Sequence, residues 1–335
     1  MKLVLIVASV FGAIANSASV VSSPFDLIQN NETGEWKYFD SHHWHAKVKE
    51  NMLVSGPYIH PNSNSQQSYP IIIFFPGMGS NIPSLGYLDV IKQMSSKGSG
   101  AIVVSWDGLA VANPLHMDDV VSKAQNIVDI AKNGDLQKLI DTSFKRPFKI
   151  NANSIFLAGH SSGAQIAYLL GVKNSNIDGL VLLDPVDSDP VNWTKPVVEN
   201  PSPYTQPVLV LVSELGEKAG FPGFPACVPL TYGSMHFYNA FQKSAKYYLY
   251  AEHYGHADCL TNPLVWFAHF SRFCASVSDP KQYPFYKYQN FMSGSVSAFV
   301  DVYGWKNCAS KKFLTEKSTF NIAGSAESAN THWSC

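Results

Sequence analysis

Ile155-Phe156-Leu157-Ala158-Gly159-His160-Ser161-Ser162-Gly163 is a short apolar strand that runs directly into Gly-x-Ser-x-Gly. Such a run puts the serine on a sharp strand-to-helix turn, where its hydroxyl projects from the end of a sheet. The flanking glycines follow from sterics, because strand and helix approach too closely there for β-carbons. Ala164-Gln165-Ile166-Ala167-Tyr168-Leu169-Leu170 is compatible with the helix that must follow. That surrounding pattern separates the motif from a chance match and makes Ser161 a candidate nucleophile.

Working outward, apolar runs alternate with helical patterns. Tyr69 to Phe75, Ala101 to Ser105, Ile155 to Ala158, Gly179 to Leu183, Val208 to Val212 and Tyr247 to Ala251 read as strands. Continuous rather than alternating apolarity marks strands covered on both faces. His45 to Val54 with its neighbours suggests an antiparallel pair ahead of them. Asp118 to Lys132 opens with acidic residues and stops at Asn133-Gly134, as a helix should. The alternation predicts an α/β fold: a mostly parallel sheet with helices on both faces, in one domain spanning 19–310. Glu217 to Tyr232, rich in Gly, Pro and Phe, reads as a long apolar loop that borders the site as a lid or wall. The tail 311–335 is polar and reads as peripheral and poorly ordered.

Composition narrows the function. The chain has 335 residues, 46% of them hydrophobic, and a formal charge of −1, which allows one well-buried domain. That balance gives no footprint for nucleic acid and no basic run for an anionic surface. Residues 1–18 read as a secretory signal: Lys2, an apolar stretch from Leu3 to Ala15, then small residues at Ala15, Ser17 and Ser19. That stretch is too short to span a bilayer, and no later one is long enough. The expected compartment is the secretory pathway, ending in secretion, a vacuole, or a plastid reached by a bipartite signal. Two sequons, Asn31-Glu32-Thr33 and Asn192-Trp193-Thr194, and five cysteines suit that route. The expected pairing is Cys227–Cys274 and Cys308–Cys335 with Cys259 left over, although spacing does not fix connectivity.

A serine hydroxyl is a poor nucleophile at neutral pH, so it needs a base and the base an orienting acid. Both should follow Ser161 in chain order, at carboxyl ends of strands. Asp184 ends Leu182-Leu183-Asp184-Pro185, with Pro185 stopping the strand behind it. Asp187, Glu214 and Glu217 compete for the acid role. For the base, His256 follows a glycine that permits a turn into the site, and His253 is its rival. Asp258 is a helix cap or a support for that loop. The oxyanion hole needs two backbone N–H groups. Ser162, after the candidate nucleophile, supplies one, and Met78, between the glycines of Phe75-Pro76-Gly77-Met78-Gly79-Ser80, the other. His42-His43-Trp44-His45 lacks an obvious completing ligand for a metal and reads as a solvated loop. No phosphate loop or nucleotide fingerprint is present, and no cofactor is implied.

Gly159-His160-Ser161-Ser162-Gly163, Leu183-Asp184-Pro185-Val186-Asp187, Pro225-Ala226-Cys227-Val228-Pro229 and Tyr254-Gly255-His256-Ala257-Asp258, in that order, resemble the blocks of chlorophyllases. Phe237-Tyr238 and Lys246 fall between the last two blocks much as similar residues do in that family. The resemblance covers about Tyr69 to Tyr303. It implies an α/β-hydrolase fold, a Ser161–Asp184–His256 triad, and hydrolysis of the phytyl ester of chlorophyll to chlorophyllide and phytol. One departure stands at the elbow, where the family's Arg-Gly-Gly is Ser162-Gly163-Ala164 here. The arrangement also looks like that of platelet-activating-factor acetylhydrolases and related secreted esterases. The expected partner is thus a lipophilic ester, chlorophyll or lipid. A general esterase and an idle, pigment- or lipid-binding hydrolase fold are the competing expectations.

Overall fold

The computed structural model describes residues 33–39, 51–59, 67–108, 117–188 and 195–331. Nine strands form one sheet in the order β1-β2-β4-β3-β5-β6-β7-β8-β9. They are β1 (Trp36–Phe39), β2 (Met52–Ser55), β3 (Ser68–Phe75), β4 (Ile102–Trp106), β5 (Lys149–His160), β6 (Gly179–Leu183), β7 (Val208–Ser213), β8 (Lys246–Ala251) and β9 (Gly324–Ala329). From β4 to β8 all neighbours run parallel, while β2 is antiparallel to both β1 and β4. The helices are α1 (Leu88–Ser96), α2 (Met117–Lys132), α3 (Asp135–Ser143), α4 (Gly163–Lys173), α5 (Ser234–Ala240), α6 (Leu264–Ser271) and α7 (Phe285–Tyr303).

The two-faced reading of the strands holds residue by residue. Ile71, Ile73 and Phe75 point into one core with α2 to α5, while Ile72 and Phe74 point into the other with α1, α6 and α7. Leu180 and Leu182 oppose Val181 and Leu183 in the same way. Ile71–Phe75, Leu180–Leu183 and Val208–Val212 are therefore buried on both sides, which is why these runs are uninterrupted Val, Ile, Leu and Phe. Because β3 to β8 are parallel, their carboxyl ends lie along one edge, where ligands of such sheets bind.

Two segments differ from expectation. The tail beyond Lys311 is not poorly ordered, since Gly324–Ala329 pairs antiparallel with all of β8. None of its residues is buried, which suits an edge strand, and the backbone ladder holds it without an apolar signature. Helix α7 went unread although it is the longest helix. Ser293, Gly294, Ser295, Ser297 and Ala298 are all buried in it, so small and polar residues sit where an amphipathic pattern would show apolar ones. Cys227–Cys274 is a disulfide and Cys259 is buried and free. Cys308 is also disulfide-bonded, and Cys335, the partner expected for it, lies outside the described residues. So do the signal segment, His42 to His45 and most of both sequons.

Candidate active site

The turn after β5 has the geometry the motif requires. Ser161 has φ 57, in the left-handed region that non-glycine residues seldom occupy. A β-carbon on Gly159 would lie 2.3 Å from the carbonyl oxygen of Gly163, and one on Gly163 would lie 2.2 Å from that of Phe75. Both positions therefore need glycine. The strained turn is held by backbone bonds: the Ser161 N–H donates to Leu183 (3.0 Å), and the Ser161 carbonyl accepts from Val186 (3.2 Å). These bonds tie the elbow to the turn that carries Asp184, so the two residues keep a fixed register.

Asp184 ends β6 fully buried, with φ 43. One carboxylate oxygen accepts the Ser213 N–H at 2.6 Å. The other accepts the Ser213 hydroxyl and, at 3.4 Å, the Tyr288 hydroxyl. Three donors fix the carboxylate in one orientation. The Nδ1 atom of His256 lies 3.6 Å from Asp184 and has no hydrogen bond to a described residue. The gap is wider than a hydrogen bond, as in many substrate-free triads that tighten on binding. The loop carrying His256 packs so closely that a β-carbon on Gly255 would sit 1.9 Å from the Ala275 carbonyl oxygen. Asp258 supports that loop rather than capping a helix. It accepts the N–H groups of Gly255 (2.7 Å) and Val277 (3.1 Å) and the Ser276 hydroxyl. Burial outweighs those bonds and pushes its carboxyl up to about 7.

The rival acids have partners of their own. Asp187 accepts the N–H groups of Val197 and Val198 and lies 3.0 Å from Nε2 of His236. Glu214 accepts the N–H of His253 and pairs with Lys218. Among the described residues three acid–histidine pairs result, and of these only Asp184–His256 is buried on both sides at the end of the strand beside the elbow. Glu217, on the loop after β7, has its carboxyl raised by burial and by the charge of Asp184.

The elbow and the early loop meet as well. Met78, Gly79 and Ser80 all have positive φ (54, 62 and 64), a local backbone twist held in place by Ser162, whose Oγ accepts the Gly79 N–H at 2.7 Å. Among the described residues neither the Met78 nor the Ser162 N–H has a hydrogen-bond partner. Such donors are what a developing oxyanion would require.

Sequence reasoning missed His160. Its ring stacks on His256 at 4.5 Å between centroids. The Gly77 N–H donates to the Tyr87 hydroxyl (3.1 Å), so that hydroxyl donates onward to Nδ1 of His160 (2.8 Å). Nε2 of His160 must then carry the proton and donate to the His256 carbonyl (3.0 Å). One chain of bonds thus joins the early loop, the elbow and the histidine loop. Burial first, and then the neighbouring His256, pull the His160 imidazole well below its usual range, so it stays neutral. No signal along the sequence pairs Tyr87 with His160; only the crossing of their elements does. His160, Asp184 and His256 each offer an atom within 4.8 Å of the others, close enough to suggest a metal. Both His160 nitrogens are already committed, however, so the three do not form a ligand set.

A sequence model of the chlorophyllase family matches residues 35–323, which takes in the elbow, Asp184 and His256. The chain belongs to the chlorophyllase family. Among its relatives, Chlorophyllase-2 of Arabidopsis thaliana is 27% identical over 247 residues, covering 70% of this chain and 73% of the relative. Chlorophyllase-1 of the same plant is 24% identical over 270 residues, covering 76% and 78%. Beyond β8 the sheet ends in the antiparallel edge strand β9.

Proposed function

We propose that the protein is a serine carboxylesterase in which Ser161, His256 and Asp184 act in sequence. Supporting the reading is one observation above all: a buried Asp–His pair at the end of β6, bonded through the backbone to a strained Gly-x-Ser-x-Gly turn. Ser161 Oγ attacks the ester carbonyl while Nε2 of His256 takes its proton. Asp184 holds the imidazole tautomer and stabilises the imidazolium. The N–H groups of Met78 and Ser162 receive the oxyanion. The imidazolium then protonates the leaving alcohol, and an acyl-enzyme remains on Ser161. Water, deprotonated by His256, attacks that ester; collapse releases the acid and returns the proton to Ser161.

The substrate we infer is a bulky lipophilic ester, foremost the phytyl ester of chlorophyll, cleaved to chlorophyllide and phytol. Family membership supports it, as does the Phe- and Pro-rich loop 217–232. A lipid or general esterase is the second reading, favoured by Ser162 where the family usually has arginine: its hydroxyl holds the oxyanion loop. Passage through the secretory pathway belongs to the same proposal, supported by the Cys227–Cys274 disulfide. The deciding experiment incubates the purified protein and its Ser161→Ala variant with chlorophyll a and with p-nitrophenyl acyl esters. Chlorophyllide from the wild type alone is expected. Acyl-ester cleavage without chlorophyllide would move the function to general esterase, and equal turnover by Ser161→Ala would overturn the mechanism.

A further inference from the structure

Beside the site an exposed aromatic surface continues from the loop 217–232 onto helix α6. Helix α6 buries Leu264, Val265 and Ala268 against the core and turns Trp266, Phe267 and Phe270 outward. Phe221, Phe224, Phe267, Phe270 and Phe273 are each more than half exposed, Phe270 at 74%. Isolated exposed rings are ordinary, but a contiguous group of them is not. Here the two segments form one surface. The Cys227–Cys274 disulfide crosses between them, and Gly220 lies so near Arg272 that a β-carbon would be 2.3 Å from its carbonyl oxygen. The rings are also propped in place: Trp266 stacks on Phe270 at 5.6 Å and meets Phe285 edge-on at 5.1 Å, and Phe221 meets Phe224 at 6.2 Å.

We propose that this aromatic rim docks the protein on the surface of a lipid bilayer. Two features choose a bilayer over a protein partner. Neither Lys218–Tyr232 nor Cys259–Ser278 contains a carboxylate; the cations are Lys218, paired with Glu214, and Arg272, which has no carboxylate partner among the described residues. That sign suits anionic headgroups around an apolar wedge. A protein interface, moreover, carries about one hydrogen bond per 100–200 Å². The rim offers few groups to make them, since its prolines lack N–H and His269 is already bonded to Ser276. Aromatic side chains seated at headgroup depth need no such partners. The same wall reaches the site, because the segment Cys274–Val277 behind the rim is what Gly255 and Asp258 pack against. Docking there would set the His256 loop at the membrane surface.

The test is co-sedimentation of the full chain with phosphatidylcholine vesicles, with and without phosphatidylglycerol. Binding is expected in both, and tighter with the anionic lipid. The double variant Phe267→Ser/Phe270→Ser should bind at least about tenfold more weakly, since each buried ring contributes more than one decade. Its turnover of soluble p-nitrophenyl acetate should match the wild type, which shows that it folds. Arg272→Gln should lose only the additional affinity for anionic vesicles, about fivefold. Wild type that stays in the supernatant, or a double variant that binds undiminished, overturns the proposal. So does a double variant that only converts a dimer to a monomer in sedimentation, because the rim would then join two copies of the chain. Docking does not depend on turnover: Ser161→Ala should bind vesicles like the wild type, so failure of the esterase reading would leave this one standing.

Discussion

Asp184 and Asp187 lie three residues apart, both buried and each beside a histidine, yet they do opposite work. Asp184 closes a strand, takes its hydrogen bonds from Ser213 and Tyr288, and leaves an edge toward His256. Asp187 spends its oxygens on the N–H groups of Val197 and Val198 and so pins that backbone to the end of β6. Its histidine, His236, sits on α5 and is partly exposed. An acid–histidine pair is therefore a weak marker by itself. Position at the strand end, and carboxylate capacity not consumed by loop backbone, separate the two.

That contrast can be broken most directly by removing each carboxylate in turn. Asp184→Asn should lower kcat by about 10⁴-fold with little change in melting temperature, because the imidazole loses its tautomer partner. Asp187→Ala should do the reverse. It leaves the buried Val198 N–H and the half-buried Val197 N–H without that acceptor and should destabilise by about 1–3 kcal/mol in urea melts, with kcat changed far less. Should Asp187→Ala silence the enzyme while Asp184→Asn spares it, the assignment of the acid is wrong.

A smaller effect is expected at the neutral histidine that backs the pair. His160→Phe keeps a ring against His256 but severs both hydrogen bonds, and a displaced base costs up to about 10²-fold. The loss should fall on kcat rather than KM with the melting temperature little changed, whereas mere loosening of the fold would lower the melting temperature. His160→Asn, which keeps hydrogen-bonding groups there, should recover part of the rate.

The smallest effect concerns the loop support. Asp258 rises from an ordinary 3.8 to about 7 on folding. Between those values the folded chain holds a proton that the unfolded chain has lost, so stability from this group falls as pH rises through that window. Asp258→Asn should flatten the corresponding slope of unfolding free energy against pH. A slope unchanged in the variant would assign it to other groups.

Much of this site was legible before any coordinates. Gly159 to Gly163 announces the elbow because its glycines answer a local steric demand. The strand before Asp184 announces itself by continuous apolarity, and Pro185 ends it. The helix from Phe285 to Tyr303 was hidden because buried Ser, Gly and Ala at close helix contacts look like surface residues in a sequence. Gly324–Ala329 was hidden because an edge strand is held by backbone bonds, which leave no trace in side-chain type. Among the candidate acids, the strand end and the family motif pointed to Asp184, whereas the partners of each acid come from elsewhere in the chain and left no signal along it.

What the sequence determined by itself is whatever depends on neighbours along the chain: the buried parallel strands, the strained serine turn, and the order of serine, acid and histidine. Tertiary structure decided the rest. It set Asp184 beside His256 and Asp187 against the loop backbone, joined Tyr87 to His160 to His256, and gathered two distant aromatic stretches across one disulfide. The reason is physical: periodicity and turn sterics act over a few residues, whereas hydrogen-bond partners and shared surfaces are fixed only when remote segments meet.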